Sequence, residues 1–286
     1  MWQGSHRKFK EEFIMIIQHN MTAANTNRML GLTNGNIAKT TEKLSSGYKI
    51  NRAGDNAAGL TISEKMRGQI RGLDQASTNA QDGISLIQTA EGALNETHAM
   101  LQRMRELTVQ AANDTNVTED RAAIQAEIAQ LQTEITRIAT DTEFNTMAVL
   151  DGTFTGKHFQ IGANNGQSMQ VAIGTMTAAA LGVASIDSQV GSYGKATAAI
   201  DTVDTALNKV STQRSTLGAI QNRLEHTIAN ADNTSENLQA AESRIRDVDM
   251  AEEMVKYSKD NILQQAGQSM LAQANQASQG ILALIR

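Results

Sequence analysis

The sequence has no proline among its 286 residues, although average usage of about 5% would supply on the order of a dozen. Because proline removes a helix hydrogen bond and clashes with the preceding turn, its absence favours long, uninterrupted helices. Aromatic residues make up only 3% of the chain, so buried surface must come from Ala, Leu, Ile, Val and the 13 methionines. Such side chains suit narrow seams between helices better than a thick globular core.

Cysteine is also absent, which excludes disulfides, zinc-thiolate sites and cysteine nucleophiles. The formal net charge of −5 comes from mixed signs, and no basic stripe with interleaved aromatic residues supports nucleic-acid binding. No apolar run approaches the roughly 18 residues that a membrane span requires. We therefore expect a soluble, mainly α protein with neither nucleic acid nor membrane as a partner.

Apolar residues recur every seven positions in four segments, which is the pattern of helices that supercoil around their neighbours. The first segment carries Ile16, Ala23, Leu30, Ile37 and Leu44. The second carries Met66, Leu73, Ala80, Ile87, Leu94 and Leu101, and the third Val203, Val210, Leu217, Leu224, Ala231, Leu238 and Ile245. The last carries Leu263, Met270, Ala277 and Leu284. The sequence predicts a long coiled-coil bundle in which the N- and C-terminal helices pair.

The middle of the chain predicts a shorter helix and then a small β region. A polar turn at residues 113–116 precedes Thr118, a good N-cap for a third helix that folds back along the second. From about 144 to 194 glycines become frequent, and residues 158–173 alternate around Asn-Asn-Gly, a strong turn signal. We expect a β-hairpin there, with helical periodicity resuming near Ala196.

Glycine and short polar residues interrupt the helical pattern between the first two predicted helices. The residues that mark this joint are Gly47, Gly54, Asp55 and Gly59. Glycine tolerates positive φ and Asp offers the backbone local hydrogen bonds, so a turn is expected. Residues 54–59 superficially resemble a phosphate loop, but no Lys-Ser/Thr follows the second glycine and no strand is predicted before it. A joint between helices is the better interpretation.

Catalytic and metal-binding patterns are weak, and we expect no enzyme activity, metal or cofactor. The five histidines are scattered, and none has the His-Glu-x-x-His spacing that places two zinc ligands on one helix face. Four acidic residues cluster near the start of the last helix, at Asp247, Asp249, Glu252 and Glu253. Without the spacing of a calcium loop, this cluster predicts a solvated acidic helix face.

Several motifs, taken in order, resemble those of bacterial flagellin. They are LSSGYKIN at 44–51, DNAAG at 55–59, NAQDGIS at 79–85, TAEGALN at 89–95, LQRMREL at 101–107 and SRIRDVD at 243–249. The resemblance covers essentially residues 15–286, and the family's variable middle is reduced here to little beyond the hairpin. It implies a filament subunit for motility that is exported unfolded by the flagellar type III apparatus and ends outside the bacterial cell.

The resemblance also implies two domains with different roles. Residues 15–55 and 248–286 would form an inner polymerisation domain, and residues 56–247 an outer rod domain with the hairpin. The polymerisation seam would consist of the apolar heptad residues of the two terminal segments. The implied partners are further copies of the chain, a flagellar export chaperone, and the filament cap and hook-junction proteins.

A second implied partner is the Toll-like receptor that senses flagellin. Arg103, Leu107 and Gln110 sit about a third of a turn away from the predicted seam at ~100° per residue, so Leu107 is expected off the core stripe. Arg103 can also pair with Glu106 three residues on. In the family this segment resembles the receptor-binding surface, to which a glutamate on the next helix contributes, and Glu127 matches that glutamate.

Residues 1–14 lie outside the family pattern and are expected to be a non-native or mis-assigned leader. Lys-Glu-Glu-Phe-Ile before Met15 is what a purine-rich ribosome-binding site would encode if translated in frame. Two alternatives to a flagellin remain open. A hook-filament junction protein would share the terminal helices, and a signalling coiled coil would share the heptads but lack a central hairpin.

Overall fold

The protein is described here by a computed structural model, which covers the backbone of residues 19–284 and the side chains of residues 19–277. Long helices dominate this part of the chain, as the periodicity predicted. In chain order the elements are α1 (Met21–Ser46), α2 (Ala57–Ala111), α3 (Thr118–Asp141), β1 (Glu143–Phe144), β2 (Met147–Ala148), β3 (Lys157–Gln160), β4 (Ser168–Val171), α4 (Ala178–Leu181), α5 (Ile186–Gln189), α6 (Tyr193–Arg246) and α7 (Met250–Leu284). The mainly α fold with a small β region is confirmed.

The chain divides into two compact units. The terminal unit takes the chain up to Ser63 and from Glu242 onward, and the central unit is Glu64–Ala241. Both divisions fall inside helices, α2 and α6, whereas the predicted domain limits at 55 and 248 fall between helices. The functional division into an inner and an outer domain stays a prediction.

The core of the central unit lies along α2, α3 and α6 and extends under the β region. The heptad positions that the sequence placed on the seam are buried there, namely Ala80, Ile87, Leu94, Leu101, Val203, Val210, Leu217 and Leu224. Ion pairs join α2 to α6 at the edge of this core, with 2.6 Å between Arg105 and Asp204 and 3.6 Å between Arg214 and Glu91. The strict seven-residue spacing therefore identified the buried stripe of both long helices.

The turn before α3 differs by one residue from the sequence prediction. The N-cap is Val117 and not Thr118, which is already the first helical residue. Valine offers no capping oxygen, and the carboxylate of Asp120 instead accepts a hydrogen bond from the Val117 amide at 3.2 Å. This bond is the reciprocal half of a capping box, in which the side chain at the third helical position accepts from the N-cap amide.

The predicted hairpin is present as β3 and β4. The strands are antiparallel, with Lys157 opposite Val171 and Phe159 opposite Met169. Gly166, in the predicted Asn-Asn-Gly turn, adopts φ +83°, which glycine reaches without strain.

The described chain also contains a second, two-residue hairpin of β1 and β2, which the sequence did not predict. Its turn residues Asn145 and Thr146 both have positive φ. A β-branched threonine rarely takes that conformation, so Asn145 alone carried a residue-type signal for this turn.

Candidate functional site

Helices α1 and α7 pack against each other in the terminal unit. Near the end of α1, Lys43 lies 3.7 Å from Glu253 at the start of α7. At the other end, the Asn20 side chain donates a hydrogen bond to the Ala274 carbonyl at 2.9 Å. Because late residues of α1 meet early residues of α7, the two helices are antiparallel. The predicted pairing of the terminal helices is confirmed.

The predicted seam residues of α1 face this pairing. Ala23, Leu30, Ile37 and Leu44 are all half-buried. A Cβ placed on Gly267 of α7 would lie 3.3 Å from the Leu30 side chain, so the glycine gives this leucine room. Ile16, the remaining predicted residue of this seam, lies outside the described residues.

The predicted seam residues of α7 lie on another side of the helix. Leu263 is 47% exposed, Met270 is 57% exposed, and Ala277 is also exposed. The side chain of Leu284 lies outside the described residues. The α7 positions with restricted exposure are instead Glu253, Tyr257, Asp260, Asn261, Gln264, Gly267, Leu271 and Ala274, which again follow a seven-residue pattern. A largely polar and small-residue heptad of α7 therefore faces α1, and the apolar heptad faces away from it. That these apolar residues form the polymerisation seam stays a prediction.

The terminal unit consequently leaves a set of large apolar side chains uncovered. We call Met254, Val255, Ile262, Leu263 and Met270 the apolar face of α7, since all five are exposed. Met21, Met29 and Leu32 of α1 are exposed as well. Single exposed apolar residues are ordinary, but several along one pair of helices are typical of an interaction surface.

The acidic cluster at the start of α7 is solvent-exposed at Asp247, Asp249 and Glu252, as the sequence predicted, but not at Glu253. Asp249 accepts hydrogen bonds from the amides of Ala251 at 2.9 Å and Glu252 at 3.1 Å, and so caps the helix. The Glu252 side chain is exposed and lies 2.8 Å from Lys256, which raises the pKa of that lysine. Glu253, in contrast, has only 5% of its side chain exposed. The tertiary packing separates two neighbouring glutamates that the sequence could not distinguish.

The predicted joint connects α1 to α2 through a turn held by backbone contacts. Gly47 ends α1 with φ +76°, and its amide donates to the Lys43 carbonyl at 2.8 Å. The Gly47 carbonyl accepts from the Val248 amide at 3.0 Å, so the joint also contacts the segment before α7. Asp55 accepts from the amides of Arg52 at 3.0 Å and Asn51 at 3.2 Å, and these bonds hold the pKa of its carboxyl below the usual range.

The two remaining joint glycines have different surroundings. A Cβ on Gly59 would lie 2.8 Å from both the Ile50 side chain and the side-chain nitrogen (Nδ2) of Asn56. Ile50 is buried, so it has little freedom to move away. Gly54 has nothing within 4 Å of such a Cβ, and its φ lies outside the left-handed region. Within the described chain, only Gly59 of this pair is required by packing.

The predicted receptor-binding residues lie in the central unit, where α2 meets α3. Arg103 donates to Glu127 of α3 at 2.9 Å and to Glu106 at 3.0 Å. These hydrogen bonds, first that of Glu127 and then that of Glu106, raise the pKa of Arg103. Arg103, Gln110 and Glu127 are all exposed. The structure thus brings together an arginine and a glutamate that are 24 residues apart in the sequence.

Leu107 differs from this group because it is buried. Its side chain is only 2% exposed and belongs to the core cluster. The prediction that it lies off the core stripe is wrong. Since α3 covers one side of α2 at Arg103 and α6 covers another at Arg105, the buried stripe of α2 is wider than a single heptad seam.

The described residues contain no helix that is long and apolar enough to cross a membrane, and no group of three or more acidic or histidine side chains placed to hold a metal ion. Long heptad-bearing helices, the pairing of α1 with α7 and a small hairpin define the class of helical coiled-coil proteins.

Comparison with known proteins narrows this class. A family model described as the bacterial flagellin N-terminal helical region matches residues 17–155, and the bacterial flagellin C-terminal helical region matches residues 200–285. A flagellin of Halalkalibacterium halodurans is 57% identical over 272 residues, which cover 95% of this chain and 100% of that protein. The flagellar filament 33 kDa core protein of Treponema phagedenis is 55% identical, over 95% of this chain and 100% of that protein.

A solved structure shares the fold. The putative flagellar hook-associated protein from Vibrio parahaemolyticus superposes with a TM-score of 0.58 over 68% of this chain and 100% of that one, at 13% identity. The chain belongs to the bacterial flagellin family. Flagellins are structural proteins of the extracellular flagellar filament and not enzymes, which agrees with the expectation from the sequence.

Proposed function

We propose that the apolar face of α7 is where neighbouring copies of this flagellar filament subunit bind. The observation that carries the proposal is the exposure of this face in a chain whose central unit buries its own apolar heptads. Burying a Val, Leu, Ile or Met side chain contributes about 1.5 to 3 kcal/mol. Several such residues in each copy would make assembly favourable.

Assembly along α7 also accounts for the composition of the α1–α7 pairing. Inside one chain the two helices meet through half-buried α1 residues and a largely polar heptad of α7. A helix pair with so little buried apolar surface gains most of its stability from tertiary contacts outside the pair. In the filament, further copies would supply those contacts by covering Ile262, Leu263 and Met270.

The substitution Ile262→Asp tests this assignment. Ile262 is 66% exposed, so a carboxylate there costs the single chain little but would have to be desolvated against a neighbouring copy. We expect the variant to express and fold but to form few or no filaments by negative-stain microscopy and sedimentation.

The matched control is Val117→Asp, which also replaces an exposed β-branched residue with aspartate. Val117 is the N-cap of α3 in the central unit, and aspartate is a favourable N-cap. This variant should assemble normally. If Ile262→Asp formed filaments as readily as Val117→Asp, the apolar face of α7 would not be the assembly surface.

We further propose that the exposed surface of Arg103, Gln110 and Glu127 binds the Toll-like receptor that senses flagellin. The specific support is the Arg103–Glu127 ion pair, which fixes the arginine and the glutamate on one exposed patch. Such a preorganised, charged surface favours a specific partner because less side-chain freedom is lost on binding.

The receptor proposal is tested with Arg103→Ala and Gln110→Ala, measured separately for affinity to the receptor ectodomain. Leu107→Ala is unsuitable alone, because the side chain is buried and its loss would weaken the core. Arg137→Ala, which removes another exposed arginine with an i,i+3 glutamate partner, is the control. Unchanged affinity for both test variants would discard the proposal.

The remaining implied partners belong to the same proposal. Unfolded export through the type III apparatus with a chaperone, and addition beneath a filament cap beyond hook-junction proteins, would follow from a role as filament subunit. Cap-dependent growth into long filaments distinguishes this role from that of a hook-filament junction protein, which would not form them.

A further inference from the structure

The dipeptide Asn-Gly occurs twice in the sequence, at Asn34-Gly35 and at Asn165-Gly166. An asparagine that precedes glycine is prone to spontaneous deamidation, because the next amide nitrogen can attack its side-chain carbonyl carbon and glycine has no Cβ to hinder the approach. The backbone must also be able to bend so that these two atoms meet. The two pairs lie in different backbone environments, so the structure distinguishes a reactive pair from a protected one.

Asn34-Gly35 lies within α1. In an α-helix each amide donates to the carbonyl four residues earlier, so the Gly35 nitrogen belongs to the hydrogen-bond ladder of the helix. The side-chain oxygen of Asn34 also accepts a hydrogen bond from Gln264 of α7 at 2.8 Å. Asn34 and Gly35 are both exposed, so burial does not protect them. The helical backbone does, because it must open locally before the two atoms can meet.

Asn165-Gly166 lies in the turn between β3 and β4. The Gln167 amide donates to the Asn164 carbonyl at 3.3 Å, which makes residues 164–167 a β-turn with Asn165 and Gly166 at its two central positions. Gly166 has φ +83°, whereas the φ of Asn165 is not positive, and this combination is that of a type II turn. The bond that closes such a turn uses neither of the two central amides.

Both reacting groups of this turn are therefore available. In the part of the chain that the structure describes, the Gly166 amide donates no hydrogen bond and the Asn165 side chain makes none. Both residues are exposed, as Asn34 and Gly35 are. Turns of this kind open at the low end of the range of local opening free energies, far below a helix interior. The difference between the two Asn-Gly pairs is thus one of backbone and hydrogen bonding.

We propose that Asn165 is a spontaneous deamidation site, which converts the hairpin tip to aspartate and isoaspartate as the protein ages. The Gly166 nitrogen forms a bond to Cγ of Asn165 and gives up its proton. The bond between Cγ and Nδ2 breaks, and Nδ2 leaves with that proton as ammonia. The product is a cyclic succinimide that includes the main-chain carbonyl of Asn165.

Water then opens the succinimide at either of its two carbonyl carbons. Opening at Cγ gives aspartate, and opening at the main-chain carbon gives isoaspartate. The net change is an amide and water exchanged for a carboxylate and ammonium, so no oxidant, reductant or cofactor takes part. The reaction is confined to one turn of one chain, and the inference does not depend on filament assembly.

The two products change the hairpin tip differently. Aspartate adds a negative charge and leaves the main chain as it was. Isoaspartate routes the main chain through the side-chain carbons and so inserts a methylene into the turn. The bond from Gln167 to Asn164 that closes the turn is already long at 3.3 Å, and we expect isoaspartate to break it. Ala163, beside this turn, lies against Gly72 of α2, so the packing of the tip on that helix would loosen as well.

The test is incubation of the native full-length protein at mildly alkaline pH, which favours loss of the attacking amide proton. Samples taken over time are digested at mildly acidic pH and analysed by mass spectrometry, with electron-transfer fragmentation to separate aspartate from isoaspartate. We expect modification at Asn165 to be at least about tenfold faster than at Asn34, because α1 must open before Asn34 can react. In guanidinium chloride the two rates should become similar, since neither pair then has a fixed backbone.

Asn165→Gln is the test variant, because a glutamine side chain would have to form a larger and less favourable ring. It should abolish the modification of the hairpin and leave that of Asn34 unchanged. Asn164→Gln is the matched control, since it makes the same replacement at the neighbouring exposed asparagine, which precedes asparagine and not glycine. This variant should still be modified at Asn165. Circular dichroism before incubation checks that both variants are folded.

Three results would overturn the inference. The first is native protein in which Asn165 stays unmodified while the unfolded protein reacts. The second is native protein in which Asn165 reacts no faster than Asn34. The third is Asn164→Gln that removes the hairpin product as completely as Asn165→Gln does.

Discussion

The central and terminal units use the same seven-residue pattern with opposite results. In the central unit the apolar heptads of α2 and α6 are buried by other parts of the same chain. In the terminal unit the apolar heptad of α7 is exposed, and a polar heptad meets α1. The difference teaches that a heptad repeat identifies an apolar face but not the neighbour that covers it. One unit buries its own apolar heptads, whereas the other leaves the apolar heptad of α7 exposed, where we propose that further copies bind.

The largest expected effect is a difference in stability loss between two leucine-to-alanine variants, one in each unit. Leu107→Ala should destabilise the central unit by about 2 to 5 kcal/mol, because it removes a buried side chain from a packed core. Leu263→Ala should change the unfolding of the unassembled chain by less than about 0.5 kcal/mol, because its side chain is already half exposed. Urea unfolding followed by circular dichroism measures both.

The stability of the assembled filament should respond differently. Leu263→Ala should lower it clearly, because we expect Leu263 to be buried only after assembly. Heating of sheared filaments, followed by sedimentation, measures this. If both substitutions destabilised the unassembled chain equally, the claim that the central unit buries its apolar heptads while the terminal unit leaves that of α7 exposed would be wrong.

A smaller effect is expected at the joint. Gly59→Val introduces a side chain where Ile50 and Asn56 leave no room, so the start of α2 must shift. We expect filaments of altered shape or reduced yield, and a loss of monomer stability of about 1 to 3 kcal/mol from overpacking. Gly54→Val meets nothing within 4 Å and should be the milder variant. If both variants formed normal filaments, these glycines would not be needed for filament geometry.

The smallest effect concerns pH. Because backbone hydrogen bonds lower the pKa of Asp55, its contribution to the joint is fully present above the ordinary aspartate value of about 3.9. That contribution is lost as the pH falls through the lowered pKa. The Arg52 amide signal in an NMR titration should report a midpoint below the ordinary value, and Asp55→Asn should abolish it. A midpoint at or above about 3.9 would contradict the hydrogen bonds seen here.

The sequence by itself determined the helical class, the buried stripes of α2 and α6, the hairpin and the joint. These features depend on local signals: no proline, strict heptads, an Asn-Asn-Gly turn, and glycine beside Asp55. The ion pair of Arg103 with Glu106 was also readable, since residues three apart face each other on a helix. Each signal is contained within a few turns of the chain.

Only the tertiary structure decided what each helix face meets. It buried Leu107, because two helices cover α2 where one seam was expected, and it turned the apolar heptad of α7 away from α1. It also distinguished Glu253 from Glu252, which differ in exposure although they are adjacent. The physical reason is that periodicity records which side chains share a face, while burial depends on neighbours that are distant in the sequence.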